Sequence, residues 1–332
     1  MLHIPRTVLR APEKVSSIPV YLQGWLTTVA ERHTNTRRVT VVENDEIVGS
    51  LSLVIERNGV GMKQAYNLPW ARLCGLWFRQ EVTEHRRAEI ARQLIKRLPA
   101  DVSYFLTVAT VFDYNIFLSQ GFQPALEENY IITPDLFPTL TNSFSSLTKR
   151  HLKQAQRELI VSTSTAEAFI GIYKANLSDR RRKPYAPLEI AHGILQEGLL
   201  RGQARISTVV RRDTGEIDAA VACLWDDARY YYWMTTRRQQ QSGQTMPHQG
   251  AVKLLLWSAI QDAKAKNLIF DFDGAPTVGA ARLYEGMGGR KTVRYRIARK
   301  TNFERYIGHI RKPLKTLLRK TLGRLMTLKM NY

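Results

Sequence analysis

The stretch from Leu268 to Arg299 constrains the fold of this chain most. It passes from strand to loop to short helix and, through a glycine break, into another strand. Leu268, Phe270 and Phe272 alternate with Ile269, Asp271 and Asp273, the period-2 pattern of a strand with two unlike faces. Gly274 and Pro276 end that strand. Ala280–Glu285 suits a short helix, which Gly286, Gly288 and Gly289 terminate. Thr292–Ala298 then carries β-branched and aromatic residues suited to a strand. Two carboxylates at a strand end, followed by a helical tyrosine, make a candidate active-site edge.

The rest of the chain supplies a matching order of elements. Pro19–His33 reads as a helix, Arg38–Glu43 and Glu46–Ile55 as a hairpin across Asn44-Asp45, and Thr83–Arg97 as a helix. Val102–Val108 and Glu128–Ile132 read as strands on either side of a short helix at Asn115–Ser119. Proline, asparagine and serine break periodicity over Thr133–Ser146, which predicts a linker. Beyond it, Ala166–Ala175 and Pro187–Leu200 are helices. Ala204–Arg211, Glu216–Trp225 and Ala228–Thr235 form a strand meander, and Gln249–Lys266 is a long helix. Ile116–Gly121 resembles Leu283–Gly288, a weak internal repeat that predicts two similar halves.

Two short strings in this order match a known family. Ala280-Ala281-Arg282-Leu283-Tyr284-Glu285-Gly286-Met287-Gly288 resembles the late A-x-x-L-Y-E-x-x-G helix of GNAT acyltransferases, and Phe270–Gly274 resembles the FDFxGS signature of their Fem-like branch. The resemblance is strongest over about 140–300. It implies an α/β (α+β) fold of tandem GNAT-like domains, each a mixed, mostly antiparallel sheet flanked by helices. The expected division is 1–135, a catalytic unit at 136–300, and a basic amphipathic helical tail at 301–332.

The same resemblance implies transfer of an acyl or aminoacyl group to an amine, with acyl-coenzyme A or aminoacyl-tRNA as donor. GNAT enzymes hold the coenzyme A pyrophosphate at the start of a long helix, where free N–H groups attract anions. The corresponding residues are Gln249, Gly250 and Ala251, a fragment of the family's glycine signature that lacks the full glycine pair. Tyr284 stands where many GNAT enzymes place the acid that protonates the departing thiolate, and a phenol is neutral and able to donate at pH 7. Fem-type peptidoglycan enzymes often carry a helical arm. This chain has no long charged heptad segment, which shifts the expected acceptor toward a polysaccharide or lipid-linked amino sugar, with a nucleotide-linked sugar also open.

Read from the residues alone, Asp271 and Asp273 have two roles open to them. On one strand face they take a proton from, or orient, an amine; otherwise they bind backbone N–H groups and hold the Gly274 loop. Arg180, Arg181, Arg182, Lys183 and Tyr185 form a basic loop suited to a substrate phosphate, since guanidinium groups bind phosphate bidentately. The alternative is a solvated charge run.

Composition bounds the partners. The net charge of +20 favours nucleic acid, phosphorylated cofactors or an anionic membrane. In 301–332, eight Lys/Arg stand against Glu304, with leucines on one face; the segment suits peripheral contact with a membrane or with tRNA phosphates, or plain packing on the protein. Only Cys74 and Cys223 are present, so no disulfide framework is expected. The first residues lack the apolar core of a signal peptide and no apolar run reaches about 18 residues, so a cytoplasmic protein, peripheral at most at the inner membrane face, is expected. No metal-ligand spacing, P-loop or G-x-S-x-G motif occurs, and no metal is expected. The rival from another class is a non-catalytic GNAT-like scaffold that binds RNA or an anionic membrane.

Overall fold

A computed structural model describes residues 18–239 and 246–305. Most of the expected tail, from 306 onward, lies outside the described residues.

The first half runs α1 (Gly24–Glu31), β1 (Thr36–Glu43), β2 (Glu46–Arg57), β3 (Lys63–Tyr66), β4 (Trp77–Phe78), α2 (Glu84–Lys96), β5 (Ser103–Val108), α3 (Val111–Ser119) and β6 (Gln123–Ile132). The second runs α4 (Ser146–Glu158), β7 (Leu159–Thr163), α5 (Ala166–Asp179), α6 (Leu188–Leu200), β8 (Ala204–Arg211), β9 (Ile217–Trp225), β10 (Arg229–Arg237), α7 (Ala251–Ala265), β11 (Ile269–Asp271), α8 (Val278–Gly286) and β12 (Arg290–Arg299). Local chemistry explains the boundaries. Asn44 and Asp45 both take positive φ, 48° and 62°, which makes the tight hairpin turn between β1 and β2. Ser145, Thr165 and Thr277 cap α4, α5 and α8 through their hydroxyls. The expected helix at Pro19–His33 is interrupted: Val20–Leu22 forms a separate 3₁₀ turn and Gln23 is extended. The N–H of Val20 is drawn to the buried Asp226 carboxylate at 2.9 Å, which fixes that turn against the second half. The short strands β3, β4 and β7 give too little periodicity to read from sequence.

All strands join one mixed sheet in the order β1-β2-β3-β5-β12-β6-β11-β10-β9-β8-β7, with β4 on β2. Pairing is antiparallel except at β3/β5 and β10/β11 and at an isolated bridge from Cys74 to Val108. The centre of the sheet is exchanged. β12, from the end of the second half, lies between β5 and β6, while β6, from the end of the first, lies between β12 and β11. Each half thus closes the sheet of the other.

The register sets which side chains share a face. Tyr130, Phe270 and Phe272 pack beneath α4, α7 and α8, and Ile297 and Leu106 beneath α2 and α3. On the opposite face Tyr231 and Trp233 pack with α1, α5 and α6. Asn129, Asp271 and Arg294 share that opposite face, at the junction of the halves.

The exchange predicts that the halves do not fold separately. Residues 136–305 expressed alone leave β11 without β6 and β12 without either neighbour. The expected product is aggregated, or lacks a cooperative urea transition; a soluble fragment with a sharp transition by circular dichroism would contradict this.

Candidate active site at the junction of the halves

Parallel neighbours with little pairing leave a slot beyond their last shared residue, and each half has one such pair. In the second half β10 and β11 pair only over Arg229–Tyr231 and Ile269–Asp271, after which β10 continues to Arg237 paired with β9 but not with β11. A register irregularity between Tyr231 and Met234 bulges β10 at that point. In the first half the corresponding slot, between β3 and β5, is filled by the chain itself. The Cys74 N–H donates to Thr107 O and the Ala109 N–H to Cys74 O, both at 2.8 Å. The Asn67 side chain bonds both the N–H and the carbonyl of Thr107, at 3.1 and 3.2 Å. The first slot is closed by the chain itself, whereas beyond Tyr231 and Asp271 no further pairing joins β10 to β11.

At the mouth of the second slot lies a buried charge cluster. Asp271 ends β11; Asp273 follows in a left-handed conformation, φ 61°, so the two carboxylates are not held by a common strand as their spacing suggests. They are brought together instead by Arg294 of β12, whose Nη2 donates to Asp271 Oδ1 at 3.0 Å and to Asp273 Oδ1 at 2.6 Å. Asp271 is saturated. Its Oδ1 also accepts from Asn129 Nδ2 and from the Asp273 N–H, and its Oδ2 from Arg229 Nη1. With the Gly274 N–H donating to Asn129 Oδ1, this carboxylate fixes the loop after β11. Asp273 is less fully engaged: its Oδ2 accepts from the Tyr21 hydroxyl at 2.9 Å and lies 3.5 Å from Arg72 Nε. Burial pushes its carboxyl up, opposed first by Arg294 and then by Arg72.

Tyr284, on α8, is buried with its ring 4.4 Å from Phe272 and 6.0 Å from Tyr130. Burial, with Asp273 adding, pushes its phenol up to about 12, so it stays protonated at neutral pH. Tyr185 behaves differently from the basic run before it. As a residue it is 63% exposed, yet its ring stands 4.3 Å from Trp70 and its hydroxyl is shielded; that burial pushes the phenol up, against the lowering charge of Arg72. Arg180, Arg181, Arg182 and Lys183 are exposed in the loop between α5 and α6, and Arg180 reaches the carbonyl of Arg237 at 3.2 Å.

The start of α7 has an arrangement the sequence does not disclose. Gly250 is a glycine for packing: a Cβ there would meet the His151 carbonyl of α4 at 2.5 Å. The Gly250 N–H is taken by His248 Nδ1 and that of Ala251 by His248 O. Gln249 is exposed. The donors left for an anion are the next N–H groups of the first turn, at Val252 and Lys253, and a set of side chains. Lys253 Nζ donates to His151 Nδ1 at 2.7 Å; burial, then Arg237 and Arg150, holds its ammonium below the usual lysine range. Burial lowers Arg237, with Asp218 opposing and Arg180 adding; its Nη2 donates to Pro247 O at 3.0 Å and its Nε is buried without an acceptor. Mutual repulsion among half-buried cations beside a helix N-terminus is the electrostatic mark of an anion site. The cationic side chains around this helix start are Lys253, Arg237, Arg150 and Arg180, whereas the N–H groups of Gly250 and Ala251 are already taken.

Sequence reasoning missed Tyr21, Arg72, Arg229, Arg294, Arg237 and Lys253. Only Lys253 carries a local signal, as a cation in the first turn of a long helix after a glycine. The others converge through strand exchange and long loops.

Known proteins bear on this geometry. Residues 146–282 match the GNAT acetyltransferase domain family. The fold is similar to the crystal structure of FemX, at a TM-score of 0.55 and 12% identity over 82% of this chain and 90% of that one. It is similar to the C-terminal domain of a putative lysylphosphatidylglycerol synthetase from Agrobacterium fabrum, at 0.54 and 10% over 83% and 87%. The structure of L-PGS from Bacillus licheniformis aligns at 0.53 and 13% over 83% and 91%. No curated protein matches the chain by sequence.

The cluster makes a stability prediction. Replacing Arg294 with Met leaves two buried carboxylates without their shared guanidinium, at a cost of about 3–5 kcal/mol in urea unfolding at neutral pH. The raised Asp273 pKa sets the sign of the pH dependence: the deficit shrinks as pH falls and the carboxyl takes up a proton. A loss under about 1 kcal/mol, on the same scale, would contradict the assignment.

Proposed function

We propose that this chain, whose residues 146–282 match the GNAT acetyltransferase domain family, is an N-acyltransferase whose one working site lies in the slot between β10 and β11. The observation that carries this reading is the contrast between the two slots. The first is filled by residues 67–76, while in the second β10 runs on past the end of its pairing with β11, and cations stand at the start of α7.

In this reading the donor's phosphate is held by Lys253, Arg237, Arg150 and Arg180, with the Val252 and Lys253 N–H groups. The acyl carbonyl lies along the bulged part of β10, where Tyr232 and Trp233 interrupt regular pairing. The attacking amine is placed against Asp273. Of the two carboxylates, only Asp273 has an oxygen whose second contact is long, so Oδ2 is the position able to take the amine's proton. Asp271 holds the loop. Nitrogen adds to the carbonyl carbon, the leaving group departs, and the protonated Tyr284 phenol supplies its proton.

The donor is acyl-coenzyme A or aminoacyl-tRNA. A basic chain and a phosphate site built from side chains serve either. The similarity in fold to a putative lysylphosphatidylglycerol synthetase favours, in this reading, an aminoacyl group and a lipid-linked acceptor. We place the protein in the cytoplasm, at the inner membrane face when the acceptor is lipid-linked. Among the described residues no helix is long and apolar enough to cross a membrane.

Isothermal titration with acetyl-coenzyme A, and in parallel with charged and uncharged tRNA at two salt concentrations, identifies the donor. Saturable binding that falls about tenfold or more in Lys253→Ala is expected for one of them. With that donor, Tyr284→Phe and Asp273→Asn are each expected to lower kcat about 100-fold or more. Binding of neither donor, or turnover that survives both substitutions, would remove this site and favour a non-catalytic scaffold.

A further inference from the structure

The segment that closes the first slot does more than fill it. Between Leu68 and Leu76 every residue is buried except Arg72. Its backbone is fixed on both sides, by Asn67 and Cys74 on β5, and the Arg72 carbonyl accepts from Asn67 Nδ2 at 2.9 Å. Trp70 takes a left-handed conformation, φ 64°, strained for a bulky residue. That conformation is held from the second half: Trp233 Nε1 donates to Trp70 O at 2.7 Å, and Trp70 Nε1 donates to Pro187 O at 2.8 Å. The segment is therefore a rigid arm that carries one exposed guanidinium from the first half to the mouth of the second slot.

The charges there do not balance. Within ion-pair distance, the carboxylates of Asp271 and Asp273 face the guanidinium groups of Arg294, Arg229 and Arg72, two against three. Arg294 is buried between both acids, whereas the Arg72 side chain is 44% exposed and touches Asp273 only through Nε at 3.5 Å. Its two terminal nitrogens form no hydrogen bond with another described residue. The Trp70 and Tyr185 rings, 4.3 Å apart, stand beside it.

We propose that Arg72 is the residue that recognises an oxyanion, carboxylate or phosphate, on the acceptor substrate, with Trp70 and Tyr185 packing against the adjoining part of that molecule. The proposal rests on the reading of the second slot as the working site. A guanidinium edge with two free N–H donors matches two oxygens of such a group, and the surplus positive charge matches its sign. Engagement of the oxyanion draws Arg72 from Asp273 and releases Oδ2 for the amine. Arg72 thus makes the first half a specificity element of a site whose chemistry lies in the second.

The test uses the full chain and follows tryptophan fluorescence, to which Trp70 and Trp233 contribute, during titration with phenyl phosphate and with benzoate. Saturable binding of at least one probe is expected, and the two probes separate phosphate from carboxylate. Arg72→Ala is expected to weaken it about tenfold or more, and Arg72→Lys, which keeps the charge and loses the fork, by an intermediate factor. Lys253→Ala is expected to remove at most a second phenyl phosphate site at the start of α7 and to leave the Arg72-dependent binding in place. The proposal is overturned if neither probe saturates the wild-type protein, if Arg72→Ala binds as tightly, or if the loss occurs in Lys253→Ala instead. Should Arg72→Ala not fold, the lysine variant decides, with wild-type affinity counting against the proposal. Arg72-dependent binding without binding of any acyl donor would refute the donor reading and leave the anion site standing.

Discussion

The contact on which the site depends is that of Arg294 with Asp271 and Asp273. A guanidinium and two carboxylates buried together are tolerated only when each charge is compensated within a few ångströms. Here the compensation comes from different parts of the chain. Arg294 is carried by the exchanged strand β12, the acids sit at and after the end of β11, Asn129 lies on β6, and Tyr21 precedes α1. The exchange of β6 and β12 is therefore more than a topological detail, because it places the arginine beneath the acids. The left-handed turn at Asp273 follows, since the Asp271 carboxylate accepts the Asp273 N–H.

From that contact the two halves acquire different tasks. They share a sheet plan, a parallel strand pair and a helix–glycine–strand ending, with Gly121 and Gly288 both at positive φ near 80°. They differ in what occupies the slot between the parallel strands. Filling the first slot with residues 67–76 removes it as a place for a ligand and makes it an anchor. The second slot has the features on which the proposed acyl transfer draws: an interrupted strand, a helix start flanked by cations, a protonated phenol and a carboxylate whose affinity for protons is raised by burial.

Much of this architecture was legible from local pattern. The hairpin at Asn44-Asp45, the meander of β8 to β10, the long helix α7 and the late strand–helix–strand unit follow from periodicity and turn chemistry. The likeness to the GNAT family came instead from the resemblance of Phe270–Gly274 and Ala280–Gly288 to the family's strings. The exchange was not legible, because nothing in the sequence of β12 distinguishes pairing with β5 from pairing with β11. The chemistry at Asp271 and Asp273 was half legible. Their proximity was expected from a shared strand face, whereas it arises from a common arginine and a turn. At Gln249–Ala251 the motif marked the right helix start, but packing of α4 against Gly250 and the acceptors on His248 occupy the N–H groups it names. Arg72 gave no signal, because an exposed arginine in an otherwise buried loop is visible only once burial is known.

Hydrogen–deuterium exchange, followed by mass spectrometry with and without saturating donor, tests the central claim most directly: one slot works and the other is closed. The account predicts that acetyl-coenzyme A or aminoacyl-tRNA protects the β10 segment beyond Tyr231 and the first turn of α7, while β3 and the start of β5 are unchanged. Protection centred on β3 and β5, with β10 and α7 exchanging as in the free protein, would contradict it.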